Sequence, residues 1–396
     1  MVFCVSCGKF DIKLLIPILG GIIRIISNYI LLDIYPKFFS HPIIYYILPS
    51  LSRCFGLLFY LREPNVNELC DSENIKHFTI IKYQKYILIA LSSLFEFLET
   101  VLSYFETINV DIENSLDIIF VNLFSLFILK TKFYKHQYIV IIICIILSIL
   151  VTLLESDELE GTFDEFIKIL LLIISHIFSN LKFVIDKYTM ENKSASIFEI
   201  FFYNGLITLF LYIIYLIIFT NYEITEENEF FKDISFLVDY KEKKYFDNFF
   251  SYYESIDAKE FIYIAIFVIF EFLIRLSFLF TIKYFSPNHL FLLFSITKVS
   301  NLFNGQEFKW KSYITIIIYT LIVFLNLVFI EVIELNFCGL SENTKKNINK
   351  RAQLESLKSE INLYKEDDDE EIISNPNNNK ELESRLIGKS NMQTVN

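Results

Sequence analysis

Charged and amide side chains recur inside stretches of this sequence that are otherwise too apolar for water, and their spacing points to chemistry. Between residues 84 and 105, Ser92, Glu96, Glu99 and Ser103 follow one another at steps of four, three and four, the rhythm that stacks side chains on one face of a helix. Gly20, Arg24 and Asn28 share a face in the first apolar run, and His176 and Asn180 in the sixth. Glu271 and Arg275 stand at i, i+4 in the eighth, a spacing that permits an ion pair within one helix. Arg53, Asp117 with Asn122, and Lys298 with Asn301 complete the set. An ionisable group at the centre of a bilayer costs roughly 2.5–3.5 kcal/mol, so such groups turn to a partner or to a wet cavity. Two acids on one face cannot satisfy each other, which suits Glu96 and Glu99 to recognising a cationic group or handling a coupling proton. The alternative is structural. Four cations (Arg24, Arg53, Arg275, Lys298) match four acids (Glu96, Glu99, Asp117, Glu271), and mutual neutralisation would fix helix packing and nothing else. His176 by itself reads as a hydrogen-bonded core residue.

The elements that must position these residues are membrane helices. The chain is 54% hydrophobic, with 43 Phe and 24 Tyr among its 396 residues, against about 45–50% apolar residues in soluble domains. Apolar runs bounded by charge or proline predict spans near 10–32, 42–61, 84–105, 112–130, 137–155, 166–186, 197–219, 260–283, 288–304 and 312–335. Pro42 and Pro287 fall at helix starts, where a missing N–H costs nothing, whereas Pro17 and Pro49 fall inside spans and are expected to kink them. The fold class expected is all-α, a polytopic bundle of ten helices. A short N-terminal segment (1–9) precedes the bundle (10–335), and an acidic, largely disordered tail (336–396) follows it.

Orientation follows from the positive-inside rule. With the N-terminus inside, twelve Lys and Arg in loops and helix ends and four just after the last span make 16 on the cytoplasmic side. The short loops opposite hold only Lys37, Lys309 and Lys311. Both termini then face the cytoplasm, and the 220–259 segment, with ten acids and five lysines, faces the other side as a loop or an interfacial helix. The first run is broken by Arg24 and lacks a small-residue cleavage site, so it reads as a span and not as a cleavable leader. The net charge of -12 is local to the 220–259 loop and the tail, which argues against nucleic acid as a partner. Cys4 and Cys7 form a lone C-x-x-C without a second ligand pair. No P-loop or other cofactor motif is present, so no cofactor and no enzymatic activity are expected.

Ten spans divide into five and five, and because five is odd, two similar halves must be inverted relative to each other. A shift of 180 residues brings Tyr104-Phe105 onto Tyr284-Phe285 and Ser115-Leu116-Asp117-Ile118 onto Ser295-Ile296-Thr297-Lys298. The stretch Ser115 to Lys130, followed by Lys132 and His136-Gln137-Tyr138, resembles the fourth-to-fifth helix junction of the drug/metabolite transporter superfamily. Leu181 to Lys187, followed by Ile197-Phe198-Glu199 and Asn204-Gly205, is similar to the sixth-to-seventh junction of its nucleotide-sugar-transporter-like solute carrier branch. The resemblance covers about residues 10 to 335 and implies inverted repeats, a central site between the halves and alternating access. The chain departs from it in having Asn204 where that branch carries an acid. It also has few glycines, so close helix contacts are expected to rely on Ser and Ala.

The function this predicts is secondary transport of a small polar metabolite. The cavity is expected to be lined by Arg24, Asn28, Glu96, Glu99, Asp117, Asn122, His176, Asn180, Glu271, Arg275 and Lys298. The partners are that metabolite and the bilayer, with proton coupling and a homodimer as open extensions. Endomembrane and plasma membrane remain alternatives for its location. The competing class is a non-transporting scaffold or receptor that binds partners through the acidic tail and the 220–259 loop.

Overall fold

The computed structural model describes residues 5–7, 12–29, 41–62, 75–103, 113–155, 163–224, 238–241, 243–245, 247–255, 258–290, 294, 310–329, 331 and 333–335. The chain divides into two units. The larger, Ser6–Ile333, contains every helix among the described residues. Of the smaller, Met1–Val5 with Glu334–Asn396, only Val5, Glu334 and Leu335 are described, each in extended conformation.

The larger unit is a helical bundle. Its first five helices are α1 (Leu15–Tyr29), α2 (Pro42–Cys54), α3 (Leu57–Tyr60), α4 (Ile75–Ser103) and α5 (Glu113–Phe127). They are followed by α6 (Lys135–Glu155), α7 (Phe163–Asn192), α8 (Ile197–Asn221), α9 (Phe249–Ser255), α10 (Ala258–Tyr284) and α11 (Trp310–Phe329). Among the described residues, five stretches are long and apolar enough to cross a membrane: Ile43–Tyr60, Tyr83–Ser103, Ile169–Asn192, Ile197–Asn221 and Phe261–Tyr284. Shorter apolar helices lie at Leu15–Ser27, Leu116–Phe127, Lys135–Val151 and Tyr313–Phe329. The expected 288–304 span falls largely outside the described residues, as does the tail from 336 onward.

Several boundaries differ from the expected ones for identifiable reasons. The 42–61 segment is two helices, because α2 stops at Cys54 and the chain turns through Phe55 and Gly56 before α3. Pro49 lies inside α2, where it removes the donor that would otherwise bond the Tyr45 carbonyl. Pro17 falls in the first turn of α1, where proline is tolerated. Helix α7 continues past the expected end at 186 to Asn192; Ser194, at φ 51, stands in the left-handed region just beyond it. Helix α8 then opens with a capping box: Ser196 Oγ accepts from Glu199 N at 2.9 Å while Glu199 Oε2 accepts from Ser196 N at 3.4 Å.

The 220–259 segment contains structure that the periodicity of its neighbours conceals. Glu223–Ile224, Val238–Tyr240 and Lys243–Tyr245 form a small antiparallel sheet with Lys243–Tyr245 in the middle. Pairing of Tyr240 with Lys243 makes a two-residue hairpin, and Lys241 supplies the positive φ of 50° that such a turn needs. Asp247 then ties the segment to the bundle. Its Oδ2 accepts from Ile43 N at 2.8 Å and Ile44 N at 3.3 Å, capping α2 from another part of the chain, and its Oδ1 lies 2.9 Å from His41 Nδ1.

The bundle exposes apolar side chains and buries charged ones within an otherwise apolar core. Leu19, Ile22, Ile146, Phe210, Ile213 and Ile217 point outward and exposed, while Arg53, Glu96, Lys182 and Asp186 are buried. That inversion of the soluble pattern is what a bundle immersed in lipid requires. Helix α1 packs on α10, α4 on α7, α2 on α8, α5 on α7 and α6 on α11. The crossing of α2 and α8 is close and depends on glycine, where the sequence leads one to expect Ser and Ala. A Cβ on Gly205 would stand 2.5 Å from Arg53 Cβ and 3.0 Å from the Arg53 carbonyl carbon, and one on Gly56 would stand 2.7 Å from the Phe201 ring. Neither helix backbone can retreat without moving Arg53. Gly205→Ala is therefore expected to destabilise the purified protein by about 1–3 kcal/mol, read as a lower melting temperature in detergent, whereas Leu206→Ala on the exposed face leaves it close to the parent.

Candidate functional site

The face of α4 that carries Ser92, Glu96 and Glu99 points into the bundle and meets polar side chains from four other helices. Glu96 is the meeting point. Its Oε2 lies 2.7 Å from Arg53 Nη1 of α2 and 3.2 Å from Lys182 Nζ of α7, and its Oε1 lies 3.6 Å from Arg275 Nη1 of α10. Arg53 is held from behind by α2 and α8, since its Nη2 donates to Ser50 Oγ at 3.2 Å and to Thr208 Oγ1 at 2.9 Å. Arg275 also reaches Glu271 within its own helix, Nε to Oε2 at 3.4 Å, the i, i+4 pair that the spacing predicts. Thr100 Oγ1 accepts from Tyr212 OH at 2.8 Å and donates to the Glu96 carbonyl at 2.9 Å, which locks this turn of α4 against α8.

One cavity of about 220 Å³ opens beside this carboxylate. Its charged walls are Arg24 of α1, Glu96 and Glu99 of α4, Lys182 of α7, and Glu271 and Arg275 of α10. Tyr45, Tyr46, Thr100 and Ser179 add hydroxyls, and Phe183, Phe278 and Phe294 add ring faces. The Arg24 guanidinium stands 5.3 Å over Phe294 and 5.9 Å over Phe278, so its cation is presented on an aromatic shelf. Glu99 faces the cavity and forms no direct ion pair among the described residues. The arrangement can grip a small molecule carrying charge: carboxylate and guanidinium groups for its ends, hydroxyls for orientation, rings for its apolar part.

Of the residues singled out in the sequence, Arg24, Glu96, Glu99, Glu271 and Arg275 come together on this cavity. Asp117, His176 and Asn180 form a cluster of their own between α5 and α7. Asp117 Oδ1 lies 2.8 Å from His176 Nδ1 and accepts from Asn180 Nδ2 at 2.6 Å. His176 is near enough to Glu99 to act on it electrostatically. Asn122 goes elsewhere: it donates to the Ile118 carbonyl at 2.6 Å and accepts from Asn288 Nδ2 at 2.8 Å, beside Cys144 and Asn326. Asp117 and Asn122, five residues apart, face different neighbours. Lys298 lies outside the described residues, as does the side chain of Asn28.

Two members of the site escape the sequence reading. Lys182 and Asp186 sit where a span ending at 186 would place a helix terminus, but α7 continues for six more residues and carries both into the interior. The signal was present: Ser175, Ser179, Lys182 and Asp186 repeat the four, three, four spacing of Ser92, Glu96, Glu99 and Ser103. Asn204, on α8, donates to Asp186 Oδ1 at 3.4 Å and accepts from Ser93 Oγ at 2.7 Å, so the amide links α4, α7 and α8.

No protein-family model matches the sequence, and no curated protein matches it. The geometry itself predicts which acid is structural. Glu96→Gln leaves Arg53 and Lys182 buried without their counter-charge and should cost about 3–5 kcal/mol, while Glu99→Gln breaks no direct ion pair and should cost far less. Thermal unfolding of the two variants in one detergent, with a double-mutant cycle on Arg53 and Glu96, measures the difference.

Proposed function

We propose that the protein is a secondary transporter that carries a small polar metabolite through the bundle by alternating access. The observation that supports this best is the cavity of about 220 Å³ in a helical unit, walled by three cations and three acids that lipid could not solvate. A scaffold needs its buried charges to cancel. Here Glu99 faces the cavity without a direct ion pair among the described residues, although Lys182, Arg275 and His176 are near enough to act on it electrostatically, and Ser179 faces the same space.

Ten spans in two inverted halves belong to this reading, and the helix pairing supports it. Numbering the expected spans in order, the first packs on the eighth as the sixth packs on the third (α1 on α10, α7 on α4). The second packs on the seventh and the fifth on the tenth (α2 on α8, α6 on α11). Exchanging the two halves returns these four pairs; the packing of the fourth span on the sixth (α5 on α7) would correspond to the ninth on the first, and the ninth lies largely outside the described residues. The cavity lies between α1, α2 and α4 of one half and α7 and α10 of the other, so rocking one half against the other would change which side it opens to. In this mechanism Glu99 and Arg24 meet the charges of the metabolite, while Glu96, clamped by Arg53, holds the walls in place. The positive-inside bias puts both termini on the cytoplasmic side.

Proteoliposomes containing the purified protein should take up at least one of three classes, namely nucleotide sugars, amino acids and organic anions, saturably, and Glu99→Gln should lower that uptake by about tenfold or more, the size of one lost charged contact. A cysteine at Ser179 should react with a hydrophilic thiol reagent and be protected by the transported compound. Absence of uptake in all three classes together with an unreactive cysteine would favour the scaffold reading instead.

A further inference from the structure

Next to the cavity, and sharing Lys182 with it, lies a second, much smaller space of about 10 Å³, close to the least that accommodates one water molecule. It shares Lys182, Phe183, Arg275 and Phe278 with the cavity and is completed by Arg53, Asp186 and Asn204 among apolar side chains. Two polar atoms of its wall residues, Asp186 Oδ2 and Arg53 Nε, are buried without a hydrogen-bond partner. Asp186 is 1% exposed. Its Oδ1 accepts from Ser92 Oγ at 2.6 Å and from Asn204 Nδ2 at 3.4 Å, yet no salt bridge reaches it among the described residues. A buried carboxylate oxygen with nothing to bond is rare and calls for an explanation.

The neighbouring acid has the opposite problem. Glu96 receives Arg53, Lys182 and Arg275, three cations for one carboxylate. Lys182 stands one helical turn before Asp186 on α7, the i, i+4 spacing at which lysine and aspartate meet. One ammonium therefore lies between an acid that has cations to spare and an acid that has no direct ion pair among the described residues.

We propose that Asp186 is a proton-binding site, occupied while Lys182 rests on Glu96 and emptied when Lys182 turns to Asp186. In the exchange the Oδ2–H bond breaks and the proton passes to a water molecule in the small space. The Lys182 ammonium keeps its three hydrogens, leaves Glu96 Oε2 and donates to Asp186 Oδ2. Arg53 and Arg275 remain on Glu96, so that carboxylate is not left bare. The charged groups about Asp186 are Lys182 on its own helix, Arg53 from α2, Glu96 from α4 and Arg275 from α10; Ser92 and Asn204 contribute neutral donors. Because Lys182 also walls the cavity, a ligand that draws on Glu96 or Lys182 changes the occupancy of Asp186. Its use as a coupling site rests on the transport reading above, whereas the protonation itself does not.

The test is infrared spectroscopy of the full chain in liposomes without any substrate, following the carbonyl stretch of a protonated carboxylic acid against pH. At neutral pH the wild type should show an acid band that Asp186→Asn abolishes and Glu99→Gln retains. Glu96→Gln frees Lys182 for Asp186 and should remove the same band. If Glu96→Gln cannot be purified, Lys182→Met decides the matter, since Asp186 should then stay protonated to a more alkaline pH than in the wild type. Superimposable spectra of wild type and Asp186→Asn would overturn the proposal, as would an Asp186 band that neither Glu96→Gln nor Lys182→Met moves. A protein that transports nothing would still give this result, so failure of the proton site and failure of the transport reading are separable.

Discussion

The interior of this bundle is organised around a single carboxylate. Glu96 is 5% exposed and holds Arg53 at 2.7 Å, Lys182 at 3.2 Å and Arg275 at 3.6 Å, one cation from each of three other helices. Desolvating such groups costs several kcal/mol apiece, and mutual attraction repays this only when further hydrogen bonds complete the geometry. They do so here: Ser50 and Thr208 take the second guanidinium nitrogen of Arg53, and Thr100 and Tyr212 fix the turn of α4 that presents the acid. Removing the acid is therefore far worse than never having had it, because the cations would remain.

Packing and electrostatics are coupled at the same point. Arg53 reaches Glu96 only because α8 lies against α2 at Gly205, where no side chain can be added without striking the Arg53 backbone. The far end of α2 is held by Asp247, which caps Ile43 and Ile44 and pairs with His41. Between these two anchors α2 carries Pro49, Tyr45 and Tyr46 along the cavity wall. A helix pinned at both ends and interrupted in the middle keeps its ends fixed while its middle adapts, which a cavity wall that must accept a ligand requires.

Hydropathy made most of the helices legible, since an apolar run of span length has few alternatives. Helical spacing made the α4 face and the Glu271–Arg275 pair legible for a similar reason, as both are local. What could not be read were pairings across helices. Nothing in the neighbourhood of Arg53 says that its partner lies 43 residues away, and Asp117 and His176, 59 residues apart, meet although neither looks like half of a pair. Lys182 was lost to a boundary error, since ending a span at 186 hides a mid-helix lysine as a terminal one. The scarcity of glycine misleads in another way: helix contact depends on which residue faces the neighbour, and Gly205 and Gly56 both stand where α2 and α8 meet closely. The hairpin at Val238–Tyr245 was obscured by charge, because its lysines read as solvated loop and its alternation spans only three residues per strand.

The distribution of charge bears on how such a bundle could move. About the cavity and the space beside it, Arg24, Arg53, Glu96 and Glu99 belong to the first half of the chain, and Lys182, Asp186, Glu271 and Arg275 to the second. Each half contributes two cations and two acids, and with Asp186 protonated, as proposed for the arrangement in which Lys182 rests on Glu96, the second half carries one net positive charge, whose displacement through the membrane potential would cost about 2.3 kcal/mol per 100 mV. Several contacts cross between the halves, among them Ser92 on Asp186 at 2.6 Å, Tyr212 on Thr100 at 2.8 Å, Arg53 on Thr208 at 2.9 Å and Asp117 on His176 at 2.8 Å. Of the ion pairs about the cavity, Lys182 and Arg275 on Glu96 cross, whereas Arg53 on Glu96 and Arg275 on Glu271 lie within one half. The crossing ion pairs are also the longer of those to Glu96, at 3.2 and 3.6 Å against 2.7 Å. Among the ion pairs to Glu96, the proposed movement would therefore break the two longer ones and spare Arg53, and Asp186, one helical turn along α7 from Lys182, would be placed to receive the cation released.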